Sequence, residues 1–339
     1  MTFPPSPAPN VEWTKLGFAV SDLVNGHIES TYSVDEGIWS PLKLVADPYL
    51  RIHGLAPALN YGQQVYEGLK AYRTRNGKIQ IFRPYFHAAR MQHSADVVSI
   101  PPVPIDHFIT AVNAAVEKNA EWVPPYESGA SMYIRPVLFG SSGHFALTPP
   151  AEYTFCVYVQ PFSTYHGVMP LPAVTLEEFD RAAPKGTGHA KIGGKTGEDI
   201  DEFSTSGFMG VRVKKQEGEP DQVTLVVPKS DNIINSVTSD SLMALARQLG
   251  YEVEHRTVKY TELSSFSEVM AVGTAAALVP IRSITHQSRG DNFVYTTETA
   301  AGPVCQKLHS ELISVQRGDS EDNEAWCYEV KQVLNGVNA

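Results

Sequence analysis

The sequence predicts a two-domain protein of the α/β (α+β) class. The chain has 339 residues, which is long enough for two domains of ordinary size. Strand-like and helix-period segments are mixed in both halves, and a stretch at 161–172 with glycine and proline but little regular period separates them. We therefore predict a disordered N-terminus at 1–15, a small domain at 16–160, a linker at 161–172 and a larger domain at 173–339.

A β-hairpin and two helices are the clearest elements of the first domain. The segments "LKAYRT" and "KIQIF" flank Arg75–Asn76–Gly77, and Asn-Gly is the strongest short-range hairpin signal. The segment "RPYFHAARMQHSADVV" predicts a helix with Pro84 in its first turn. A second helix is predicted near Asp106 to Trp122 from apolar residues at helical spacing: Phe108, Ile109, Val112 and Val116. Two longer segments, "SMYIRPVLFG" and "EYTFCVYVQPF", are typical of strands.

The second domain is also predicted to contain both strands and helices. "QVTLVVP" predicts a strand, and a helix near Ser239 to Leu249 is expected to end at Gly250. "EVMAV" predicts a further strand that leads into Gly273–Thr274. A last helix is predicted at 303–317.

The composition argues against several classes of function. The formal net charge is −10, from 27 basic and 37 acidic residues. This balance disfavours nucleic acid and anionic membranes, which need clustered Lys and Arg. The three cysteines, Cys156, Cys305 and Cys327, are an odd number without a CxxC spacing, so we expect no disulfide framework and no metal site. No apolar run reaches the length that a membrane span requires.

The first residues give an expectation for cellular location. "MTFPPSPAPNVEW" has no basic region, no apolar region and no arginine, so it matches neither a secretory nor a mitochondrial signal. We expect a cytoplasmic protein, and a mitochondrial location stays open if a targeting segment is missing from this sequence.

One lysine stands in an unusual setting. In "GTGHAKIGGKTGEDIDEFSTSGF", Lys191 lies between small residues and Glu202 follows a short distance later. Glycines leave room for a bulky group to approach the backbone, as a lysine that forms a Schiff base requires. A solvated surface lysine in a flexible loop is the plainer interpretation, and the residues alone leave both open.

Three other segments offer groups that bind phosphate. "NSVTSDSLMALA" places Val237 and Thr238 at the start of a helix, where free N–H groups and the helix dipole favour an anion. "VGTAAALVP" places Thr274 at the end of a strand, and Arg90 on a predicted helix supplies a cation. An ordinary N-cap, a plain turn and a surface ion pair are the respective alternatives.

Taken together, these segments resemble a known family. From about Trp39 to the C-terminus the chain resembles fold-type IV pyridoxal-phosphate enzymes, and specifically the branched-chain amino acid aminotransferases. The resemblance rests on the order and spacing of "LNYGQQVYEGLKAYR", "IFRPYFHAARMQHSA", "SMYIRPVLFG", "AKIGG", "DEFSTSGF", "SVTSDSL" and "VGTAAALVPI". It implies a small N-terminal α+β domain, a larger C-terminal pseudo-barrel domain that binds pyridoxal 5'-phosphate, and a homodimer.

The resemblance also implies a role for individual residues. Lys191 matches the lysine that forms the Schiff base with the cofactor, and Glu202 matches the carboxylate that pairs with its pyridine nitrogen. The residues that match the phosphate site are Arg90, Val237, Thr238 and Thr274. The residues that match the substrate side are Tyr61, Tyr66, Tyr133, Arg135 and Tyr165. For the tyrosines, packing in the core with the hydroxyl at the surface is the alternative.

These roles predict transamination of a branched-chain or related apolar L-amino acid, with 2-oxoglutarate as amino acceptor. Pyridoxal phosphate is an electron sink, and a carboxylate near its ring nitrogen favours the protonated form of that nitrogen. Once the substrate amine displaces it, the lysine can carry the proton between the substrate's α-carbon and the coenzyme, as general base and then acid. An arginine beside tyrosine hydroxyls suits a substrate carboxylate.

The sequence departs from the family between the lysine and the glutamate. In the family a helix and a strand lie between them, whereas here only the ten residues Ile192–Asp201 do so. An average helix of about 11 residues and a strand of about 5 do not both fit, which indicates an internal deletion. A catalytically impaired pseudoenzyme of the same fold therefore stays open. Another fold-type IV activity also stays open: a D-amino acid or R-amine transaminase, or a lyase of the aminodeoxychorismate type.

Overall fold

The computed structural model describes residues 3–17, 24–145, 148–163, 169–175, 199–231, 233–322, 324–332 and 337–338. The chain divides into two compact units. The first consists of residues 1–164 and 315–339, and the second of residues 165–314. Each unit contains its own β-sheet and its own buried core.

The first unit is built on a mixed sheet with ten strands among the residues described. The strands are β1 (His27–Ser33), β2 (Ile38–Trp39), β3 (Leu42–Val45), β4 (Gln64–Tyr66), β5 (Leu69–Arg73), β6 (Ile79–Phe82), β7 (Ser131–Gly140), β8 (Glu152–Phe162), β16 (Cys327–Glu329) and β17 (Val337–Asn338). Their order is β16-β6-β5-β7-β8-β1-β3-β17, with β2 paired to β1 and β4 paired to β7. The helices of this unit are α1 (Pro57–Tyr61), α2 (Pro84–Val97) and α3 (Ile105–Glu117).

The hairpin between β5 and β6 confirms the prediction from Asn76–Gly77. The N–H of Thr74 donates to the carbonyl of Lys78 at 2.8 Å, and that of Gly77 donates to the carbonyl of Thr74 at 3.0 Å. Gly77 has a φ of +81°, a conformation that glycine adopts without steric cost. Local turn chemistry therefore fixes the register of this pair, with Ala71 opposite Ile81.

The two faces of this sheet differ in chemistry. Alternate residues of β5 point to opposite faces. Leu69 and Ala71 join a core that includes Met91 of α2 and Phe108 of α3. Lys70 lies opposite Tyr133 of β7, and in the β7–β8 pair Tyr133 lies opposite Gln160 and Arg135 opposite Tyr158. Directly opposed residues share a face, so we call the second surface the polar face, defined by Lys70, Tyr72, Tyr133, Arg135, Tyr158 and Gln160.

Both ends of the chain contact the first unit. Strand β16 pairs with β6, and Val330 is buried in the first unit's core. Residues 315–339 therefore fall in this unit, whereas the sequence analysis assigned them to the second domain. Near the other end, in the segment for which the composition predicts disorder, Phe3 packs against the same core and the N–H of Ala8 donates to Glu121.

The second unit has a seven-stranded sheet within the described residues. Its strands are β9 (Leu171–Val174), β10 (Gly207–Lys214), β11 (Gln222–Pro228), β12 (Glu252–Arg256), β13 (Glu268–Gly273), β14 (Ala277–His286) and β15 (Asp291–Val294), in the order β12-β11-β10-β13-β14-β15 with β9 on β14. Helix α4 (Val237–Gln248) belongs to this unit, and α5 (Pro303–Arg317) begins in it and ends in the first. Short 3-10 helices lie in the first unit at Trp13–Lys15, Ala120–Trp122 and Tyr126–Ser128, and in the second unit at Tyr260–Ser265.

Helix α5 has the bounds that the sequence predicted, and α4 begins two residues earlier than predicted. In the part of the chain that the structure describes, no helix is both long enough and apolar enough for a membrane span.

Candidate active site

A cavity of about 210 Å³ in the second unit brings Glu202 next to the start of α4. Glu202 is half-buried and forms a β-bridge with Gly207, the first residue of β10. Ser236 and Ser239 line the same cavity, together with Lys229 and Asn235. One wall therefore carries an acidic side chain and another the beginning of a helix.

The start of α4 has the chemistry of an anion site. Ser236 is the N-cap residue, and its Oγ accepts a hydrogen bond from the N–H of Ser239 at 3.2 Å. Val237 and Thr238 are the first two helical residues and are buried. The first N–H groups of a helix have no partner within the helix, and the dipole gives this end a charge of about +0.5. The sequence analysis gave an ordinary N-cap as the alternative to a phosphate site, and that N-cap is Ser236. The capped start of α4 is also suited to phosphate.

Gly207 connects these groups to Thr274. A Cβ atom at Gly207 would lie 3.0 Å from Ser239 Oγ and 3.3 Å from Val272 Cγ2. Gly207 is also the β-partner of Val272, which precedes the β13–β14 turn containing Thr274. Glu202, the start of α4 and the Thr274 turn therefore lie at the same end of β10 and β13, and of these groups Glu202, Ser236 and Ser239 line the cavity.

Arg90 is buried in the first unit within a charged triad. Its Nε donates to Glu67 Oε1 at 2.7 Å and its Nη2 donates to Oε2 at 2.6 Å. His87 Nδ1 lies 2.7 Å from the same Oε2. Burial by itself raises the pKa of Glu67, but Arg90 and His87 outweigh it and hold that pKa well below its usual range. The ion pair of Arg90 is therefore a buried one, and not the surface pair considered as its alternative.

The substrate-side residues of the first unit gather on the polar face and at its edge. Arg135 Nη2 donates to the Tyr133 hydroxyl at 3.1 Å. The Arg135 guanidinium carbon lies 4.9 Å from the centre of the Tyr66 ring and 5.2 Å from that of Tyr133. The Tyr133 hydroxyl lies where a side chain at residue 68 would begin, so Gly68 is required there. Tyr61 ends α1 and is 54% exposed.

Lys70 and Glu67 are buried charged residues of this unit that the sequence analysis did not identify. Lys70 is 5% exposed, and its Nζ lies 4.9 Å from the centre of the Phe162 ring. Burial disfavours the ammonium and lowers the pKa of Lys70 to about 7. Glu67, described above, is the other. The signal for both residues was the presence of an acid and a lysine in the run "YEGLKAY". Strand periodicity and the hairpin register place this run inside the sheet, so they indicate that the two charged residues are buried.

Two of the predicted site residues, Lys191 and Tyr165, lie outside the described residues. The roles assigned to the remaining site residues stay predictions.

Comparison with known proteins identifies the family. The model of the class IV aminotransferases matches residues 64–196 and 192–284. The chain belongs to the class IV aminotransferases, a family of pyridoxal-phosphate-dependent enzymes. The two matched segments meet inside the short interval between Lys191 and Glu202, where the sequence indicates a deletion.

The curated relatives are fungal aminotransferases. Aminotransferase atnJ of Emericella nidulans is 50% identical over 338 aligned positions, which cover 92% of this chain and 97% of the relative. Aminotransferase poxL of Penicillium oxalicum is 48% identical over 356 positions, covering 97% of this chain and 96% of the relative. Both alignments are longer than the part of this chain that they cover, so each relative has residues that this chain lacks.

Solved structures confirm the two-domain fold-type IV architecture. The branched-chain amino acid aminotransferase of Escherichia coli superposes with a TM-score of 0.70 at 24% identity, covering 85% of this chain and 97% of that one. The branched-chain aminotransferase of Thermoproteus uzoniensis, crystallised with norvaline, gives 0.70 at 23% identity, covering 89% and 99%.

Proposed function

We propose that this protein transfers the amino group of a branched-chain or related apolar L-amino acid to 2-oxoglutarate, with pyridoxal phosphate as cofactor and Lys191 as the Schiff-base lysine. The observation that carries the proposal is the arrangement around Gly207, where Glu202, the start of α4 and the Thr274 turn meet. We further propose that the enzyme acts as a cytoplasmic homodimer.

The residues of the second unit fit the cofactor at both of its charged ends. A phosphate suits the N–H groups of Val237 and Thr238 and the hydroxyl of Thr274. The Glu202 carboxylate suits a protonated ring nitrogen, because a neighbouring negative charge favours the protonated form. The resemblance also implies a phosphate-binding role for Arg90. When bound, pyridoxal phosphate supplies an electron sink for the bonds that break at the substrate's α-carbon.

Side chains of the protein carry out the other steps of the proposed reaction. The Lys191 amine would take the proton from the α-carbon of the amino donor as a general base, and as a general acid it would deliver a proton to the α-carbon of the amino acid that forms from the 2-oxo acid. The Arg135 guanidinium, held by the Tyr133 hydroxyl, supplies a positive charge for a substrate carboxylate. Tyr61, Tyr66 and Tyr165 provide aromatic surface for the substrate side chain.

Lys191→Ala tests the central assignment, and Lys195→Ala, in the same glycine-bordered stretch, is the matched control. We expect Lys191→Ala to lose glutamate formation from L-leucine and 2-oxoglutarate by at least about 100-fold, and Lys195→Ala to stay close to wild type. Borohydride reduction followed by peptide mapping should place the fixed cofactor on Lys191. Equal activity of Lys191→Ala and wild type would exclude the assigned role.

A catalytically impaired protein of the same fold is the second candidate. It is favoured by the division of the family match into two segments, 64–196 and 192–284, inside the Lys191–Glu202 interval. This candidate predicts either no visible absorbance from bound cofactor or absorbance without turnover. Rapid glutamate formation by the wild-type protein would remove it, and a panel of L- and D-amino acids and R-amines separates the remaining fold-type IV activities.

A further inference from the structure

A cavity of about 520 Å³ in the first unit extends from Arg135 across the sheet to the segments at 24–27 and 46–48. Sites for small organic ligands enclose about 300–1,000 Å³. A side chain of four carbon atoms, each with roughly the 30 Å³ that a water molecule takes in the liquid, fills only about a quarter of this space. The cavity is therefore larger than a branched-chain side chain requires.

The order of the strands sets the length of the cavity. Arg135 of β7 lies opposite Tyr158 of β8. The His27 ring of β1 stacks on the Tyr158 ring, with centroids 4.3 Å apart and an interplanar angle of 14°. Val45 of β3 lies opposite His27, two residues before Asp47. Three inter-strand spacings place Asp47 about 14 Å from Arg135. Both side chains cover part of this distance, so a ligand chain of about six to eight bonds fits, at roughly 1.2 Å per bond.

The Asp47 end of the cavity offers hydrogen-bond acceptors. The N–H of Tyr49 donates to Asp47 Oδ1 at 2.7 Å, which leaves Oδ2 without a hydrogen bond among the described residues. The Tyr158 hydroxyl donates to the carbonyl of Pro48 at 3.3 Å, so its oxygen keeps a lone pair available. Burial above all raises the pKa of Tyr158, and the hydroxyl therefore stays protonated at neutral pH.

The hydrogen-bond donors near this end are already used. The Asn25 amide donates to the carbonyl of Lys118 and to Glu121 Oε1, both at 2.8 Å. His27 is buried, and its Nε2 lies 2.8 Å from Glu29 Oε1; because an ionised carboxylate only accepts, Nε2 carries the hydrogen. In the neutral ring Nδ1 is then a further acceptor, and it makes no hydrogen bond in the part of the chain that the structure describes. A ligand that reaches this end has to supply the donor.

We propose that this cavity takes the side chain of an L-amino acid that is longer than leucine and ends in a hydroxyl group, and that Asp47 and Tyr158 recognise the hydroxyl. The inference rests on the function proposed above, in which Arg135 takes a substrate carboxylate. The ligand's O–H donates to the Asp47 carboxylate, and a hydrogen bond to an ionised acceptor is the stronger kind. Val24 and Ala46 line the same cavity and suit the aliphatic carbons between the two ends.

Steady-state kinetics with matched pairs of amino donors test the proposal. L-2-aminooctanoate and L-2-amino-8-hydroxyoctanoate differ only in the terminal hydroxyl, and 2-oxoglutarate is the acceptor for both. We expect wild type to have a kcat/KM about 10- to 100-fold higher for the hydroxylated donor, as for a hydrogen bond to a charged group. L-norleucine and its 6-hydroxy derivative are two carbons shorter and do not reach Asp47, so their kcat/KM values should be similar.

Two variants remove the groups that recognise the hydroxyl. Asp47→Asn removes the charge and keeps an acceptor oxygen for the N–H of Tyr49, and Tyr158→Phe keeps the ring that stacks on His27. Each should lower the ratio of the two kcat/KM values by about tenfold. Damage to the fold would lower both values together and leave the ratio unchanged. The matched control is Asp35→Asn, at an exposed turn of the same unit, which should keep the wild-type ratio. Equal kcat/KM values in wild type, or an unchanged ratio in Asp47→Asn, overturn the proposal.

A binding measurement separates this proposal from the proposed function. Calorimetric titration of wild type and Asp47→Asn, with pyridoxal phosphate present, uses 8-hydroxyoctanoate and octanoate; these ligands have no amino group, so no turnover is needed. Tighter binding of 8-hydroxyoctanoate to wild type, lost in Asp47→Asn, supports the role of the cavity even if no amino acid is transaminated. Equal affinities of wild type for the two ligands refute it, whereas absence of turnover with every amino donor refutes the proposed function alone.

Discussion

Replacing Glu67 with glutamine is expected to destabilise the first unit by about 3–5 kcal/mol, the cost of removing one charge of a buried pair. Both carboxylate oxygens of Glu67 accept hydrogen bonds from Arg90, and His87 approaches one of them. Glutamine keeps one acceptor oxygen and turns an NH₂ group toward N–H donors at the other position. Arg90 then stays charged in a buried place without its counter-charge.

The effect has a defined dependence on pH. The folded-state pKa of Glu67 lies below its usual value, so the stability it contributes is fully present above the unfolded pKa of about 4.3 and is lost as pH falls toward the folded pKa. The difference in unfolding free energy between wild type and Glu67→Gln should therefore be constant from pH 6 to 8 and shrink below about pH 4.

Hydrogen exchange of the β5 and β7 amides, followed by mass spectrometry, measures this difference within the first unit. Glu329→Gln is the control in the same unit, since Glu329 pairs with Lys78 at 2.7 Å and both side chains are more than half exposed. We expect at most about 1 kcal/mol from the control. A loss under about 1 kcal/mol in Glu67→Gln would show that the buried triad does not hold α2 against β4 and β5.

Two further predictions concern residues that support the candidate site, Gly68 beside Tyr133 and Ser236 at the start of α4. Gly68→Ala places a methyl group where the Tyr133 hydroxyl lies, so Tyr133 must move away from Arg135, and the KM for the amino acid should rise about tenfold. Gly54→Ala, at an exposed turn of the same unit with open space around it and no positive φ, should leave KM unchanged. Ser236→Ala removes the N-cap of α4 and should lower the unfolding free energy by about 0.5–2 kcal/mol, measured by thermal denaturation. Ser236→Gly should lose only a few tenths, because glycine is itself tolerated at an N-cap. An unchanged unfolding free energy in Ser236→Ala would contradict the assigned hydrogen bond.

Elements with a local cause were predictable from the sequence. The β5–β6 hairpin follows from Asn76–Gly77, α2 begins at Pro84, and α5 has the predicted bounds. Strands β7, β8 and β11 also have the bounds of their apolar segments. In each case the signal lies within a few residues of the element it determines.

Features that depend on distant pairing were not predictable. Cys327 lies opposite Phe82 in the β16–β6 pair, and nothing local to residues 315–339 signals that the chain returns to its first unit. The partner of Arg90 is Glu67, 23 positions earlier, and an arginine in isolation suggests only a surface pair. The burial of Lys70 was not predictable for the same reason, because it depends on the strands on both sides of β5.

The return of the chain to the first unit has a consequence for dissecting this protein. A fragment that stops at residue 164 would lack β16, and the backbone of β6 along Gln80–Phe82 would have no strand beside it. An uncovered strand edge is a template for pairing between molecules. Attempts to produce the N-terminal part alone would therefore meet self-association, and joining residues 315–339 to it through a short artificial connection is the design that preserves the missing pairing.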